Sequence, residues 1–328
     1  MAKDNVSQLV EKLKFAHKAI KEQLAKIIVG QDEVIEQILI ALFTRGHCLI
    51  VGVPGLAKTL LVSTISKILG LQFSRIQFTP DLMPADITGT EIIQEDPQTS
   101  QKIFKFIKGP IFTQTLLADE INRTPPKTQS ALLEVMQEFR VTAAGKTYDL
   151  DPPFFVLATQ NPIEQEGTYP LPEAQLDRFF FQVNISYPSK EEEKIIVERT
   201  TSTIEYDVQK LLNAREIIAL QQIVRDVPVS DHILDTVVNL VRSTRPDDPR
   251  SDEIAKKYIR WGAGPRASQT IVLAGKANAI LSGRYTITTE DISRVIHPAL
   301  RHRIILNYSA EAEGINTDTV IDMLWQKF

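Results

Sequence analysis

The chain of 328 residues lacks several features that define whole classes of protein. Cys48 is its one cysteine, so an internal disulfide is excluded and the thiol is expected to be a buried apolar group. The five histidines are scattered, without the close pairing of a zinc site. No apolar run approaches the ~18 residues that cross a bilayer. These absences argue against disulfide-stapled, zinc-stabilised and membrane-spanning proteins.

A strong excess of one charge is also missing. The formal net charge is −4 and the pI is about 5.8, so no global basic field attracts nucleic acid. Arg301-His302-Arg303 is a small basic cluster, best interpreted as a solvated face. The hydrophobic fraction of 43% and the charged fraction of 24% are typical of a soluble globular protein. No apolar signal segment follows Met1–Asn5, so a cytoplasmic protein without membrane insertion is expected.

One stretch of the sequence has the order that a nucleoside triphosphate requires. The apolar run Cys48–Val51 precedes a loop with two glycines, then Lys-Thr, then a helical pattern. Backbone N–H groups of such a loop and the N-terminus of the helix point at phosphates. Lys58 supplies charge for the β- and γ-phosphates, and the Thr59 hydroxyl is a ligand for Mg²⁺. The predicted phosphate-binding residues are Gly52, Val53, Pro54, Gly55, Leu56, Ala57, Lys58, Thr59 and Leu60.

Ala57 stands where a glycine commonly precedes the lysine of such a loop. Alanine fits when its φ angle is negative, so Ala57 is expected to have helical backbone already. A chance Gly/Pro turn before a helix gives the same local pattern, and the motif by itself leaves that alternative open.

Acidic and amide side chains follow the next apolar runs. Leu116–Ala118 leads to Asp119 and Glu120, and Phe154–Ala158 leads to Asn161. Because parallel strands end beside the phosphate loop, Asp119 is expected to hold Mg²⁺, mostly through water. Glu120 is expected to orient and deprotonate the attacking water, and Asn161 to reach that water or the γ-phosphate. An exposed strand end and an ordinary Asn-Pro turn are the alternatives.

Two arginines further along the chain are also candidates. Arg178, just before the fifth apolar run, is expected to enter the nucleotide site of a neighbouring subunit and stabilise charge in the transition state. Arg266, in the first turn of a later helix, is expected to reach the phosphates and link domain closure to the bound nucleotide. An Asp-Arg pair at a helix end and a surface arginine are the plainer alternatives.

The apolar runs alternate with helical stretches, which predicts a three-layer α/β domain around a central, largely parallel sheet. The strands are expected at Cys48–Val51, Phe73–Phe78, Leu116–Ala118, Phe154–Ala158 and Phe179–Ile185. Two excursions are predicted to contain β-hairpins, whose role is either functional or simply to shield the sheet edge. The first pairs Thr90–Gln94 with Lys102–Phe106 around a turn at 95–100, and the second spans Phe139 to Phe154 and turns at 144–146.

The remainder of the chain is helical in pattern. Tyr187-Pro188 closes the sheet region, and Ser189 with Glu192 forms a capping box that opens a helix. Helices are expected at Glu192–Thr200, Asn213–Val227, Asp231–Arg242, Arg266–Leu281, Thr289–Leu300 and Thr317–Gln326. The sequence thus predicts a nucleotide-binding domain at 1–188 and an all-helical domain at 189–328.

Together these motifs resemble the MoxR family of AAA+ ATPases along nearly the whole chain. The most specific matches are the loop that ends in Ala-Lys-Thr and the stretches Phe78–Leu82, Asp86–Gly89, Ala118–Arg123, Pro125–Glu134 and Ala158–Phe179. The resemblance implies an AAA+ P-loop αβα domain followed by a helical lid. It also implies that Ala57 is the variant usual in this family.

The resemblance assigns roles to the candidate residues. Lys58 and Thr59 correspond to Walker A, Asp119 and Glu120 to Walker B, Asn161 to sensor 1, Arg178 to the arginine finger, Arg266 to sensor 2, and Val29, Gly30 and Gln31 to the adenine pocket. The excursions at about 81–109 and 139–154 correspond to the helix-2 insert and the pre-sensor-1 hairpin. ATP and Mg²⁺ are the implied cofactors. A homo-hexameric ring that remodels or matures client proteins, often ones with von Willebrand factor A domains, is the implied assembly.

Other nucleotide-driven functions fit parts of the pattern. A nucleic-acid-dependent AAA+ motor shares both insertions, but the slightly acidic charge argues against it. A motor subunit of a metal chelatase, which serves insertion of a metal into a tetrapyrrole, is a second alternative. A nucleotide-gated scaffold is disfavoured by the intact Asp119-Glu120 pair, and a small GTPase by the lack of an Asn-Lys-x-Asp motif.

Overall fold

The computed structural model describes residues 3–95, 102–143, 145–163, 167–203, 206–249 and 251–328. Its strands are β1 Cys48–Val51, β2 Phe73–Gln77, β3 Gly89–Glu95, β4 Lys102–Lys108, β5 Thr115–Asp119, β6 Arg140–Ala143, β7 Lys146–Asp149, β8 Phe155–Gln160, β9 Phe181–Asn184, β10 Ile259–Trp261 and β11 Ile305–Leu306. Five strands of the described ranges form one parallel sheet in the order β2-β5-β8-β1-β9. The predicted parallel sheet is confirmed, and each strand lies within two residues of its predicted bounds.

Helices cover both faces of this sheet and form most of the C-terminal region. They are α1 Lys3–Leu24, α2 Asp32–Phe43, α3 Lys58–Ile68, α4 Pro84–Thr88, α5 Pro126–Glu138, α6 Glu173–Leu176, α7 Lys190–Thr200, α8 Ala214–Asp226, α9 Asp231–Ser243, α10 Glu253–Tyr258, α11 Pro265–Leu281, α12 Thr289–Ser293, α13 Ile296–Leu300, α14 Tyr308–Ala312 and α15 Thr317–Trp325. Among the described helices, none combines the length and apolar character needed to cross a bilayer.

The sheet is apolar on both faces because successive strand residues point to opposite sides. On one side, Ile50 and Leu117 join a buried cluster with residues of α1, α2 and α3. On the other, Leu49 and Leu116 join a second cluster with residues of α4 and α5. The first cluster continues without a break into α8, α9 and α11 of the C-terminal region. The division of the chain at 188/189 therefore stays a prediction.

The two hairpins form where the sequence predicts them. β3 pairs antiparallel with β4, and β6 pairs antiparallel with β7. Residues 96–100 of the first predicted turn, the next residue, and residue 144 of the second turn lie outside the described residues. An aromatic cluster joins the hairpins, since the Phe106 ring stacks on the Tyr148 ring with centroids 4.5 Å apart. Both excursions thus pack on each other beside the sheet.

The C-terminal region is helical, with differences from the predicted bounds. The capping box at the start of α7 is confirmed, because Ser189 Oγ accepts the Glu192 N–H and Glu192 Oε2 accepts the Ser189 N–H. The single predicted helix at 289–300 is wrong, since α12 ends before α13 begins. Pro298 lacks the N–H that would bond to the Arg294 carbonyl, and its ring crowds that carbonyl, which favours a break between the two helices. The short antiparallel pair of β10 and β11 was also not predicted.

Candidate functional site

The site begins with the loop between β1 and α3. The Lys58 side chain folds back over this loop, and its Nζ donates a hydrogen bond to the Gly52 carbonyl at 2.5 Å. A Cβ atom at Gly52 would lie 2.9 Å from the Ile185 carbonyl oxygen, so only glycine lets the loop pass so close to the end of β9. The expected negative φ at Ala57 is wrong, since its φ is +53°. The residue before α3 therefore has the left-handed backbone that glycine adopts without strain.

The loop, β5 and β8 enclose one open cleft of about 430 Å³ at the carboxyl edge of the sheet. The side chains that sequence reasoning selected on three separate segments meet in this cleft. Its lining residues are Pro54, Gly55, Leu56, Ala57, Lys58, Thr59, Leu60, Arg75, Asp119, Glu120 and Asn161. Gly52 and Val53 lie just before this lining. Parallel strands bring their carboxyl ends to the same edge, which is why residues 58, 119 and 161 become neighbours.

Asp119 is held on both carboxylate oxygens. The Thr159 hydroxyl donates to Asp119 Oδ1 at 2.6 Å. On the other side, Arg75 donates to Asp119 Oδ2 from Nε at 3.2 Å and from Nη2 at 2.7 Å. Sequence reasoning missed Arg75 and Thr159, because each lies within a strand rather than after it.

Glu120 follows directly and turns the chain away from β5. Its φ of +57° is left-handed, and its N–H donates to Thr159 Oγ1 at 2.8 Å. Glu120 Oε2 accepts hydrogen bonds from Gln77 Nε2 at 2.8 Å and from Arg123 Nη1 at 3.0 Å. The Gln77 oxygen in turn accepts from Arg75 Nη2 at 2.7 Å. One chain of polar contacts therefore joins the two acids through β2.

Asn161 directly follows β8 and is buried, with 4% of its surface exposed. Its Oδ1 accepts the N–H of Ile163 at 3.1 Å, which closes the local turn that an Asn-Pro dipeptide favours. The residue nevertheless lines the cleft. Asn161 therefore both closes the Asn-Pro turn and lines the cleft.

A second, more apolar cleft of about 380 Å³ lies on the other side of the phosphate loop. It shares the wall 54–57 and Leu60 with the first cleft. Val29 and Gln31 line it together with Tyr187, Pro188 and apolar side chains of α7. Gly30 does not line it but has a φ of +68°, and a Cβ there would meet the Glu192 carboxylate. The apolar walls of this cleft suit a flat ring.

The two arginines lie at the opposite edge of the sheet. The pairing of Cys48 with Phe181 puts the start of β9 beside the start of β1, and Arg178 precedes that start by three residues. Its Nη1 contacts the Leu133 carbonyl at 3.4 Å. Arg266 Nη1 donates to the backbone oxygen of Asp177 at 3.3 Å. Neither arginine is among the residues that line the cleft at 58, 119 and 161.

The donor set of the cleft fits a magnesium ion. The Thr59 hydroxyl and the Asp119 carboxylate are oxygen ligands, and both line the same cleft. In the described ranges, no group of three or more His, Cys, Asp or Glu side chains is placed to hold a metal. A magnesium ion with few protein ligands completes its coordination with phosphates and water.

Comparison with known proteins gives a consistent result along the chain. Residues 47–181 match the model of the ATPase family associated with various cellular activities (AAA), and residues 251–324 match the AAA lid domain. Chaperone MoxR1 of Mycobacterium tuberculosis is 45% identical over 304 residues, which cover 93% of this chain and 79% of that protein. Protein MoxR of Paracoccus denitrificans is 30% identical, with 87% of each chain covered.

A solved structure also has the same fold as this chain over nearly its whole length. The crystal structure of an ATPase candidate from Cytophaga hutchinsonii superposes with a TM-score of 0.91. The two chains are 42% identical, and the match covers 99% of this chain and 98% of the other.

Proposed function

Because the chain belongs to the MoxR family of AAA+ ATPases, we propose that it binds ATP with Mg²⁺ in the cleft at 52–60 and hydrolyses it as part of a ring. The convergence of Lys58, Asp119, Glu120 and Asn161 on one cleft carries this proposal. The adenine ring would occupy the apolar cleft at Val29 and Gln31, and the triphosphate would follow the shared loop wall.

The residues of the cleft supply the parts of phosphoryl transfer. Lys58 would exchange its bond to the Gly52 carbonyl for the β- and γ-phosphates. Thr59 and Asp119 would hold the magnesium ion, which when bound neutralises charge on the phosphates. Glu120 would accept a proton from water as that water attacks the γ-phosphorus and the bond to the β-phosphate breaks. Both bonds of the Glu120 carboxylate go to Oε2, so Oε1 is the oxygen that would take the proton.

The arginines would complete the site of a neighbouring copy. Arg178 lies at the amino edge of the sheet, whereas its own phosphate loop lies at the carboxyl edge, four strand residues or about 13 Å away. An arginine in this place is poorly positioned for its own nucleotide and well positioned for that of the next subunit. Arg266 contacts Asp177 at the same edge, so we assign it to the same neighbouring site.

The output of hydrolysis would be movement of the C-terminal helices and of the two hairpins. Both arginines lie next to Asp177, which also accepts a hydrogen bond from Arg303 of the C-terminal region at 2.7 Å. A change in the nucleotide site beside Asp177 would therefore move both the sheet domain and the C-terminal helices. We propose chaperone-like remodelling of client proteins by a hexamer, with von Willebrand factor A domain proteins as candidate clients. A cytoplasmic location stays a prediction.

Nucleotide binding and turnover by three variants test the proposed activity. Lys58→Ala should lose ATP binding, whereas Glu120→Gln should bind ATP and fail to hydrolyse it. Lys67→Ala is the matched control, because Lys67 is an exposed lysine on the same helix that pairs with Asp207. Unchanged binding in Lys58→Ala would contradict the proposal. Strong stimulation of the wild-type rate by single- or double-stranded DNA would favour the nucleic-acid motor instead.

A further inference from the structure

An arginine on β2 contacts the acid that would hold magnesium. The side chain of Arg75 is 47% exposed and that of Asp119 is 13% exposed, and both residues line the cleft. Two nitrogens of the guanidinium donate to the same oxygen, Asp119 Oδ2. The Thr159 hydroxyl occupies one position on the other oxygen. The carboxylate is therefore largely saturated and neutralised by the protein itself.

We propose that Arg75 is a positioning residue that makes the cation site depend on bound nucleotide. This inference rests on the proposed ATP and magnesium site. A guanidinium 2.7 Å from Asp119 Oδ2 repels any divalent ion that approaches the same carboxylate. Without nucleotide, Arg75 keeps Asp119 neutralised and the ion is disfavoured. With a triphosphate in the cleft, the phosphate charges attract both the ion and the guanidinium, and Arg75 is free to leave Oδ2.

The same side chain also positions the second acid. Arg75 Nη2 donates to Gln77 Oε1, and this orients the Gln77 amide so that its nitrogen donates to Glu120 Oε2. Movement of Arg75 away from Asp119 therefore loosens the contact that holds Glu120. Arrival of the ion at one acid would in this way be linked to one of the two contacts on the other, since Glu120 Oε2 keeps its bond from Arg123 Nη1.

Direct binding of Mn²⁺, followed by electron paramagnetic resonance, tests the inference without turnover. In nucleotide-free protein, Arg75→Met should bind Mn²⁺ about tenfold more tightly than wild type, the factor by which a neighbouring charge commonly changes the proton affinity of a carboxyl. Arg75→Lys keeps the charge and should stay near wild type. Arg294→Met removes an arginine that pairs with Glu290 far from the cleft, and should leave Mn²⁺ affinity unchanged.

A double variant shows whether the effect passes through Asp119. The gain of Arg75→Met should disappear when Asp119→Asn is added. Equal or weaker Mn²⁺ binding by Arg75→Met and by a second neutral variant, Arg75→Gln, would overturn the inference, provided both keep the wild-type circular dichroism spectrum. Binding of a non-hydrolysable ATP analogue separates the two proposals. If wild type does not bind the analogue, the proposed function fails, whereas normal analogue binding with unchanged Mn²⁺ affinity defeats only the role of Arg75.

Discussion

At the scale of single residues, Thr159 is a buried residue that makes hydrogen bonds to both acids of the site. Its hydroxyl donates to Asp119 Oδ1 and accepts the N–H of Glu120, so one buried group fixes the proposed magnesium ligand and the backbone of the proposed general base. Only 1% of its surface is exposed, so its two bonds are largely shielded from solvent. The geometry of both acids therefore depends on a residue that is not among those lining the cleft.

Replacing Thr159 with valine tests this dependence. Valine keeps the shape but leaves the Glu120 N–H and one Asp119 oxygen without their partner, which should cost about 1–3 kcal/mol of stability. We expect kcat to fall by roughly 10- to 100-fold, as for misplaced groups in general, with little change in ATP affinity. A phosphate-release assay measures kcat, and titration with a non-hydrolysable ATP analogue measures the affinity. Thr159→Ser retains the hydroxyl and should stay within a few-fold of wild type; equal loss in both variants would argue against the hydrogen bonds.

Ala57 offers a second test at this scale. A left-handed backbone costs a non-glycine residue about 1–2 kcal/mol, while glycine adds about 0.4–1 kcal/mol of unfolded-state entropy. Ala57→Gly should therefore raise the free energy of unfolding slightly, by roughly 0.5 kcal/mol, and leave ATP affinity unchanged. Urea unfolding measures the first quantity and analogue titration the second. A loss of about 0.4–1 kcal/mol, which is the entropy difference alone, would mean that the φ of +53° carries no strain.

At the scale of elements, His47 connects β1, β8 and α5 through hydrogen bonds of its side chain. It precedes β1, accepts the Val156 N–H of β8 on Nδ1 at 3.0 Å, and bonds the Met136 carbonyl of α5 through Nε2 at 3.0 Å. A neutral ring satisfies both bonds, because Nδ1 must accept while Nε2 donates. Burial lowers the pKa of His47 from 6.5 to about 4, and the bond to Met136 offsets only part of this shift.

This shift predicts acid sensitivity. Because the folded pKa of His47 lies below the unfolded value, its stabilising effect is complete above pH 6.5 and is lost as the pH falls toward 4. The loss from one such group is about 3 kcal/mol over this window. Urea unfolding at pH 7, 6 and 5 should show the decline in wild type and a shallower one in His47→Gln. His232→Gln, at an exposed histidine, should keep the wild-type slope; a parallel decline in all three proteins would exclude His47 as the cause.

The elements were more predictable from sequence than the contacts between them. Cys48–Val51 and its neighbours stand out because buried parallel strands are continuous apolar runs, and Lys58, Asp119 and Asn161 stand out because they follow such runs. Arg75 and Gln77 are interleaved with apolar strand residues and look like ordinary solvent-facing positions. What places Arg75 and Gln77 in the site is the strand register, in which Gln77 pairs with Asp119. This register is set by tertiary packing and cannot be read from the sequence of β2 alone.

At the scale of the whole molecule, the two halves of the proposed site lie at opposite edges of one sheet. The phosphate loop follows the carboxyl end of β1, whereas Arg178 and Arg266 lie near the amino end of β9. Contact between unlike surfaces of identical subunits is head-to-tail, and such contacts close into a ring when the rotation permits. The central claim is therefore that hydrolysis takes place between subunits, with the cleft from one and Arg178 from the next.

Mixing two inactive variants tests that claim most directly. Glu120→Gln lacks a working cleft but keeps Arg178, and Arg178→Ala lacks the arginine but keeps the cleft. In rings mixed at equal ratio, about one interface in four pairs an intact cleft with an intact arginine, so we expect recovery of about a quarter of the wild-type ATPase rate. Mixing Arg178→Ala with the double variant Glu120→Gln/Arg178→Ala should recover nothing. No recovery in the first mixture, or full activity of Arg178→Ala alone, would rule out hydrolysis between subunits.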